Sequence, residues 1–181
     1  CQKKSGKRQR SPNAPGIGLM AGCDDLSHEF DAWGAENRTV TLWWRDDDAV
    51  TLTPALDKLL TISRNSGTPL ALAVIPAGTE AALADFLEAR SDVYVLQHGY
   101  EHVNYARPGD KASEYGPERD QESRLEELAQ GLKLLSQFRQ LLPVLVPPWN
   151  RIDTALLPIL PEIGLTGIST FAPREPAVSI S

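Results

Sequence analysis

The sequence predicts an α/β fold built on a parallel sheet, either open or forming part of a (β/α) barrel. Three observations predict it. Strand-like and helix-like patterns alternate along the chain until five strands have been counted. One strand run, Leu70-Ala71-Leu72-Ala73-Val74-Ile75, is apolar at every position, as a strand covered on both faces must be. The residues richest in chemistry sit at the ends of strands. In parallel α/β sheets the C-terminal strand ends converge on one crevice.

The elements follow in order. Leu26, Phe30 and Trp33 recur at helical spacing and predict a helix over 25–37. The β-branched and aromatic run 39–44 predicts the first strand, with Trp43 and Trp44 on opposite faces. Thr53 caps a helix that has Pro54 at its first position, Leu56, Leu59, Leu60 and Ile62 on its apolar face, and Ser66-Gly67 at its end. A strand over 70–75 follows, then a helix over 79–90 carrying Leu83, Phe86 and Leu87. The third strand is 93–97, and a polar loop occupies 98–116. Pro117 opens a long helix to about residue 142, with Leu125, Leu128, Leu132 and Leu135 at helical spacing. A short strand over 144–146, a helix over 152–163 limited by Pro158 and Pro161, and a last strand over 167–171 complete the chain. A closed eight-stranded barrel takes about 250 residues. Five strands in 181 residues therefore predict an open sheet or an incomplete barrel, truncated at its C-terminal side.

Composition narrows the function classes. Apolar residues at 41% and charged residues at 23% are globular values. No run of roughly 18 apolar residues is present, so no membrane-spanning helix is expected. The two cysteines, Cys1 and Cys23, are both N-terminal, which excludes a disulfide scaffold and a cysteine-based zinc site. Net charge is −6, yet Lys3, Lys4, Lys7, Arg8 and Arg10 give the first ten residues +5 and leave −11 for the rest. An acidic body argues against nucleic acid as a partner. Residues 1–24 read as a disordered basic tail and 25–181 as the domain. No apolar core of about 7–15 residues follows the basic tip, so no signal peptide is expected and the chain reads as soluble, its compartment open.

Three polar clusters terminate strands. They are Arg45-Asp46-Asp47-Asp48, His98-Gly99-Tyr100-Glu101-His102 and Pro147-Pro148-Trp149-Asn150-Arg151. Three consecutive aspartates repel one another, and a cation relieves that repulsion. Two of the three histidines stand four residues apart, a spacing at which both imidazoles can share a metal. The third, His28, lies on the first helix and reads as a surface or packing residue. The stretch 98–102 also fits H-x-x-E-H, the inverted zinc-protease pattern, but that motif needs a continuous helix and this stretch is loop-like. The two prolines stiffen the third cluster, and Trp149 offers a flat wall of the kind that sugars bind.

Taken in order, these clusters resemble the polysaccharide deacetylase (NodB-homology) family of carbohydrate esterases. Trp44-Arg45-Asp46-Asp47-Asp48 stands for its Asp-Asp motif, the 98–102 stretch for H-[ST]-x-x-H, and Val146-Pro147-Pro148-Trp149 for R-x-P-[YFW]. The resemblance covers about residues 38–151. It implies a distorted (β/α) barrel, here incomplete, and an enzyme that uses one divalent metal, zinc by preference, to remove acetyl groups from an N- or O-acetylated carbohydrate. Carried over by position, Asp46 is the general base and Asp47, His98 and His102 are the metal ligands. Asp48, Tyr100, Pro148 and Trp149 line the substrate. Asp48 stands where the family has Gly, so a register shifted by one makes Asp47 the base and Asp48 the ligand. Val146 stands where the family has the Arg that orients the base. Arg151 is the expected substitute, with Arg45 the other. A backbone N–H near Tyr100 or Trp149 is expected to hold the oxyanion. No histidine follows His102, so the family's late general-acid histidine has no counterpart in this chain. A non-catalytic carbohydrate- or partner-binding relative, or a different metallohydrolase, is the alternative.

Overall fold

The computed structural model describes residues 21–39 and 43–171. The chain divides into two units, Cys1–Thr41 and Leu42–Ser181. In the first, helix α1 (Ala21–Ala35) starts earlier than the sequence suggests. Trp33 donates from Nε1 to Glu29 one turn back, and the Arg38 guanidinium lies 3.9 Å over the Trp33 ring. His28 is exposed on this helix. Most of the expected basic tail, residues 1–20, lies outside the described residues, as does the start of the expected first strand at 40–42. Among the described residues no helix is long and apolar enough to cross a membrane.

The second unit alternates β1 (Trp44–Ala49), α2 (Pro54–Ser66), β2 (Leu70–Val74), α3 (Ala81–Leu87), β3 (Val93–His98), α4 (Gln121–Leu135), β4 (Leu141–Val146) and β5 (Gly167–Ile168). The caps of α2 are those its sequence encodes. Thr53 accepts from the Leu56 N–H, Pro54 opens the first turn, and Gly67 closes the helix in the left-handed region at φ 67°.

Two expected helices are shorter or different. The long helix of 117–142 is α4, because Asp120 caps it by accepting from Ser123 N–H and because 141–146 pairs as a strand. The expected helix of 152–163 is two 3-10 turns, Thr154–Leu156 and Leu160–Ile163. Pro158 and Pro161 supply no N–H, so an α-helical ladder cannot run through them.

The strands are all parallel and lie in the order β1-β2-β3-β4-β5. Sequential order with right-handed crossovers places the helices on one face, as in a (β/α) barrel, whereas a doubly wound sheet reverses its order. The helix-covered face holds Leu70, Leu72, Val74, Val93 and Val95 against Leu56 and Leu60 of α2, Leu83 and Leu87 of α3, and Leu135. A second group, Leu145 with Leu128, Tyr115, Leu156, Leu160 and Leu165, continues that layer. The opposite face is lined by Ala71, Ala73, Leu96 and Val146. Arg45 shares that face with its register partner Ala71 and donates to the carbonyl and hydroxyl of Ser169, just past β5, at 3.3 and 2.7 Å. One side chain thus spans from the first strand to the last, so the sheet is curled as a partial barrel.

Candidate metal centre

The site begins with a defect in β1. The pairs Trp44↔Leu70, Arg45↔Ala71 and Asp46↔Leu72 are regular, and then the register slips before Ala49↔Val74. A bulge re-aims the side chain it carries. Here it sits at Asp48, whose φ is 68°. The result is that consecutive aspartates face three ways. Asp46 follows Trp44 and Leu72 toward the helix side, and a pocket there is lined by Asp46, Thr51, Leu56 and Leu59 together with parts of Asp47 and Asp48. Burial pushes its carboxyl above the ordinary range, helped by the charges of Asp47 and Asp48. Asp47 faces the opposite side, and Arg45 grips both its oxygens, Nε to Oδ1 at 2.8 Å and Nη2 to Oδ2 at 3.1 Å. Asp48 turns out over the strand ends.

There it meets the histidines. Asp48 Oδ1 lies 3.0 Å from His98 Nε2 and 3.2 Å from His102 Nε2. One ligand atom from each of the three falls within 4.8 Å of the others. In a tetrahedral zinc site with bonds of about 2.0–2.1 Å, neighbouring ligand atoms stand about 3.3 Å apart. The trio fits such an ion. Asp48, rather than Asp47, is the aspartate that joins the histidines.

The donor arithmetic of His98 strengthens the fit. Its Nδ1 is 2.9 Å from the Val146 carbonyl, which only accepts, so Nδ1 carries the proton. Burial, the largest influence on this ring, pushes its pKa down and favours the neutral form. A neutral ring protonated at Nδ1 presents a bare lone pair at Nε2 to a carboxylate oxygen. Two lone pairs at 3.0 Å call for a positive charge between them, a shared proton or a metal ion. The Val146 carbonyl is also the partner that fixes ring and tautomer in metal-ligating histidines. Exposure grades across the trio from 3% for the His98 side chain to 24% for His102 and 63% for Asp48. The centre is anchored on one side and open to solvent on the other.

The backbone around it is strained. Among the described residues, the non-glycine positions with positive φ are Asn37, Asp48, His102, Trp149 and Asn150. All but Asn37 belong to the three strand-end clusters. Each such position costs on the order of 1–3 kcal/mol and persists only where its surroundings over-determine it. Gly99 is left-handed too, at φ 60°, and a Cβ there would stand 2.0 Å from Glu114 Oε2 and 2.6 Å from Pro148 Cγ. No helix runs through 98–102, so Glu101, which is exposed, lacks the helical setting of a zinc-protease base.

The remaining expected site residues separate. The Trp149 ring lies against the His102 ring, centroids 4.4 Å apart and tilted by 50°, and buried Pro148 packs against Gly99. Tyr100 is half-buried, and its N–H donates to Glu114 rather than facing the site. That removes Tyr100 as an oxyanion donor. Arg151, the expected base-orienting residue, instead donates to the Ala112 carbonyl at 2.9 Å and braces the long loop. Arg45 holds an aspartate in its place. The sequence reading did not single out Glu114 or Gln97. Gln97 is buried and donates from Nε2 to the carbonyls of Gly99 and Leu128. Both are polar residues whose burial depends on chain segments remote in sequence, and no local pattern marks them.

No protein-family model matches this sequence, and no curated protein matches it either. Among solved structures it is similar to one described as a "T48 deacetylase with substrate", with a TM-score of 0.47 and 15% identity. That match covers 65% of this chain and 53% of the other, so this chain spans about half the length of that structure.

Proposed function

We propose that this chain carries the metal centre of a metal-dependent deacetylase acting on N- or O-acetylated carbohydrate. The observation that carries the reading is the convergence of His98 Nε2 and His102 Nε2 on one oxygen of Asp48, beside an aspartate held by an arginine. In this reading Asp48, His98 and His102 hold the metal, and Asp47 accepts the proton of the attacking water. A bound divalent ion supplies Lewis-acid polarisation of the acetyl carbonyl and acidifies water. Two imidazoles and a carboxylate suit zinc first, and also cobalt, iron or manganese.

The chain's own residues do the rest. Arg45 fixes the Asp47 carboxylate from two positions away and leaves each oxygen further lone pairs for a proton. It thereby fills the role for which Val146 offers no charge. Trp149 offers a wall beside His102 for a sugar ring, and the buried Pro148 before it stiffens that turn. Asp46, turned toward the helices, is a charge neighbour rather than a reacting group.

Metal content tests the reading directly. After exposure to zinc and gel filtration, the wild-type chain is expected to retain one ion, and His98→Ala and Asp48→Ala to retain none. Undiminished zinc in both variants would sink the proposal. Acetate release from acetylated chito-oligosaccharide or acetylxylan then separates enzyme from binding relative. The second reading is a non-catalytic carbohydrate binder, favoured by Val146, an apolar residue where the resemblance expects an arginine. Sugar retention without acetate release from the zinc-loaded protein would establish it.

A further inference from the structure

We infer that Glu114 is a positioning residue for this centre, whose buried carboxylate sets the distance between the two histidines. The inference rests on the metal reading above and deepens it. Glu114 is fully buried. Its carboxylate accepts from three consecutive backbone N–H groups, Tyr100 at 3.2 Å, Glu101 at 2.8 Å and His102 at 3.0 Å. No cationic side chain pairs with that carboxylate among the described residues: Arg119, the nearest candidate, donates to the Glu114 backbone carbonyl and pairs with Glu127. A buried carboxylate without a cation is expensive to keep, and only a full set of hydrogen bonds makes it tolerable. The amides of 100–102 are that set.

The two histidines are held by different means. The His98 ring is oriented through Nδ1 by the Val146 carbonyl. Among the described residues no protein acceptor stands against His102 Nδ1, so the placement of that ring depends on its backbone and on the Trp149 ring beside it. That backbone is left-handed at His102 and at Gly99, and Glu114 grips the span between them. Gln97 completes the clamp by holding the Gly99 carbonyl. Removing the Glu114 charge releases His102 while leaving His98 in place, so the metal loses a ligand geometry without losing a ligand.

The test compares metal affinity with fold stability in the whole chain. Zinc affinity is measured by chelator competition, and the Co(II) site by its visible d–d spectrum, for wild type, Glu114→Gln, Glu114→Ala and the core variant Leu72→Ala. Glu114→Ala is expected to weaken zinc by about 10- to 100-fold, the range for residues that orient metal ligands, and to alter the cobalt spectrum. Glu114→Gln, which keeps one acceptor oxygen, should lose less. Leu72→Ala should lower the melting temperature and leave affinity and spectrum alone. Wild-type affinity and spectrum in both Glu114 variants would overturn the clamp and leave the metal reading standing. Failure of the wild type to bind zinc or cobalt would overturn both.

Should the Glu114 variants not fold, amide exchange on the wild type decides. By linkage, zinc must protect the amides of 100–102 beyond any protection it gives those of Leu72 and Ala73. Equal protection would overturn the clamp.

Discussion

Strands β1 and β2 lie side by side and parallel, yet they share almost nothing else. β2 is buried at every position and pairs with β3 at five consecutive residues without a slip. β1 carries four charged residues in six, slips its register and holds a left-handed aspartate just before its last residue. The helix layer packs on β2 and its neighbours, and the chemistry sits on β1 and the ends of β3 and β4. The difference teaches that a strained, mutually repelling strand end is tolerable because the strand beside it is over-determined.

Breaking the packed member should have the largest effect on stability. Leu72 is fully buried in the helix-side core. Leu72→Ala is expected to cost about 3 kcal/mol in urea unfolding, with zinc affinity of the folded protein unchanged. A parallel loss of affinity would show that the two strands are not separable.

Next comes Gly99→Ala, which reaches the site through its backbone. The new methyl meets Glu114 and Pro148 at impossible distances in a left-handed conformation. A loss on the order of 2 kcal/mol is expected, accompanied by loss of zinc, because the residues it displaces are those that hold His102. Retained zinc affinity would place the rigidity elsewhere.

Asp48→Gly sharpens the comparison in the opposite direction. Glycine occupies φ 68° without penalty, and the change removes one of three adjacent negative charges. The metal-free protein is expected to gain about 1 kcal/mol while zinc binding disappears. A destabilised variant would mean that β1 is not strained in the way its backbone indicates.

The smallest effect belongs to an ion pair at the entrance of β3. Arg90 grips Asp92 through two hydrogen bonds of 2.8 Å and holds its carboxyl below the ordinary range. The folded protein therefore binds this proton less readily than the unfolded chain. The stabilisation is present above the unfolded pKa of about 4 and is lost as pH falls through the lower folded value. Asp92 is partly exposed, so Asp92→Asn should cost only about 0.5 kcal/mol at neutral pH. The difference from wild type should vanish at the acid end. A difference that persists there would assign the effect to packing.

Much of this contrast is legible in the sequence. The unbroken apolar run at 70–74 announces β2, and the Thr53-Pro54 cap and Gly67 stop delimit α2, because these signals are carried by residues next to one another. The Asp triplet and the paired histidines are visible for the same reason. The shortened α4 and the 3-10 turns after β4 were less legible. There, capping by Asp120 and the pairing of β4 compete with a helical leucine pattern that extends past both ends.

What the sequence by itself determined is the alternation of strands and helices and the placement of Asp, His and Trp at strand ends. Periodicity, caps and composition are local properties. Only the tertiary structure decided which aspartate meets the histidines, because a one-residue bulge in β1 turns Asp46, Asp47 and Asp48 in different directions. Only it placed Arg45 against Asp47 and Arg151 against the Ala112 carbonyl, since that depends on which side chain reaches the concave face of the curled sheet. And only it revealed Glu114, because folding carries a loop carboxylate onto amides that lie 12 to 14 residues before it in the chain. Burial and through-space partnership are not written in any short stretch of sequence, and the function of this site depends on both.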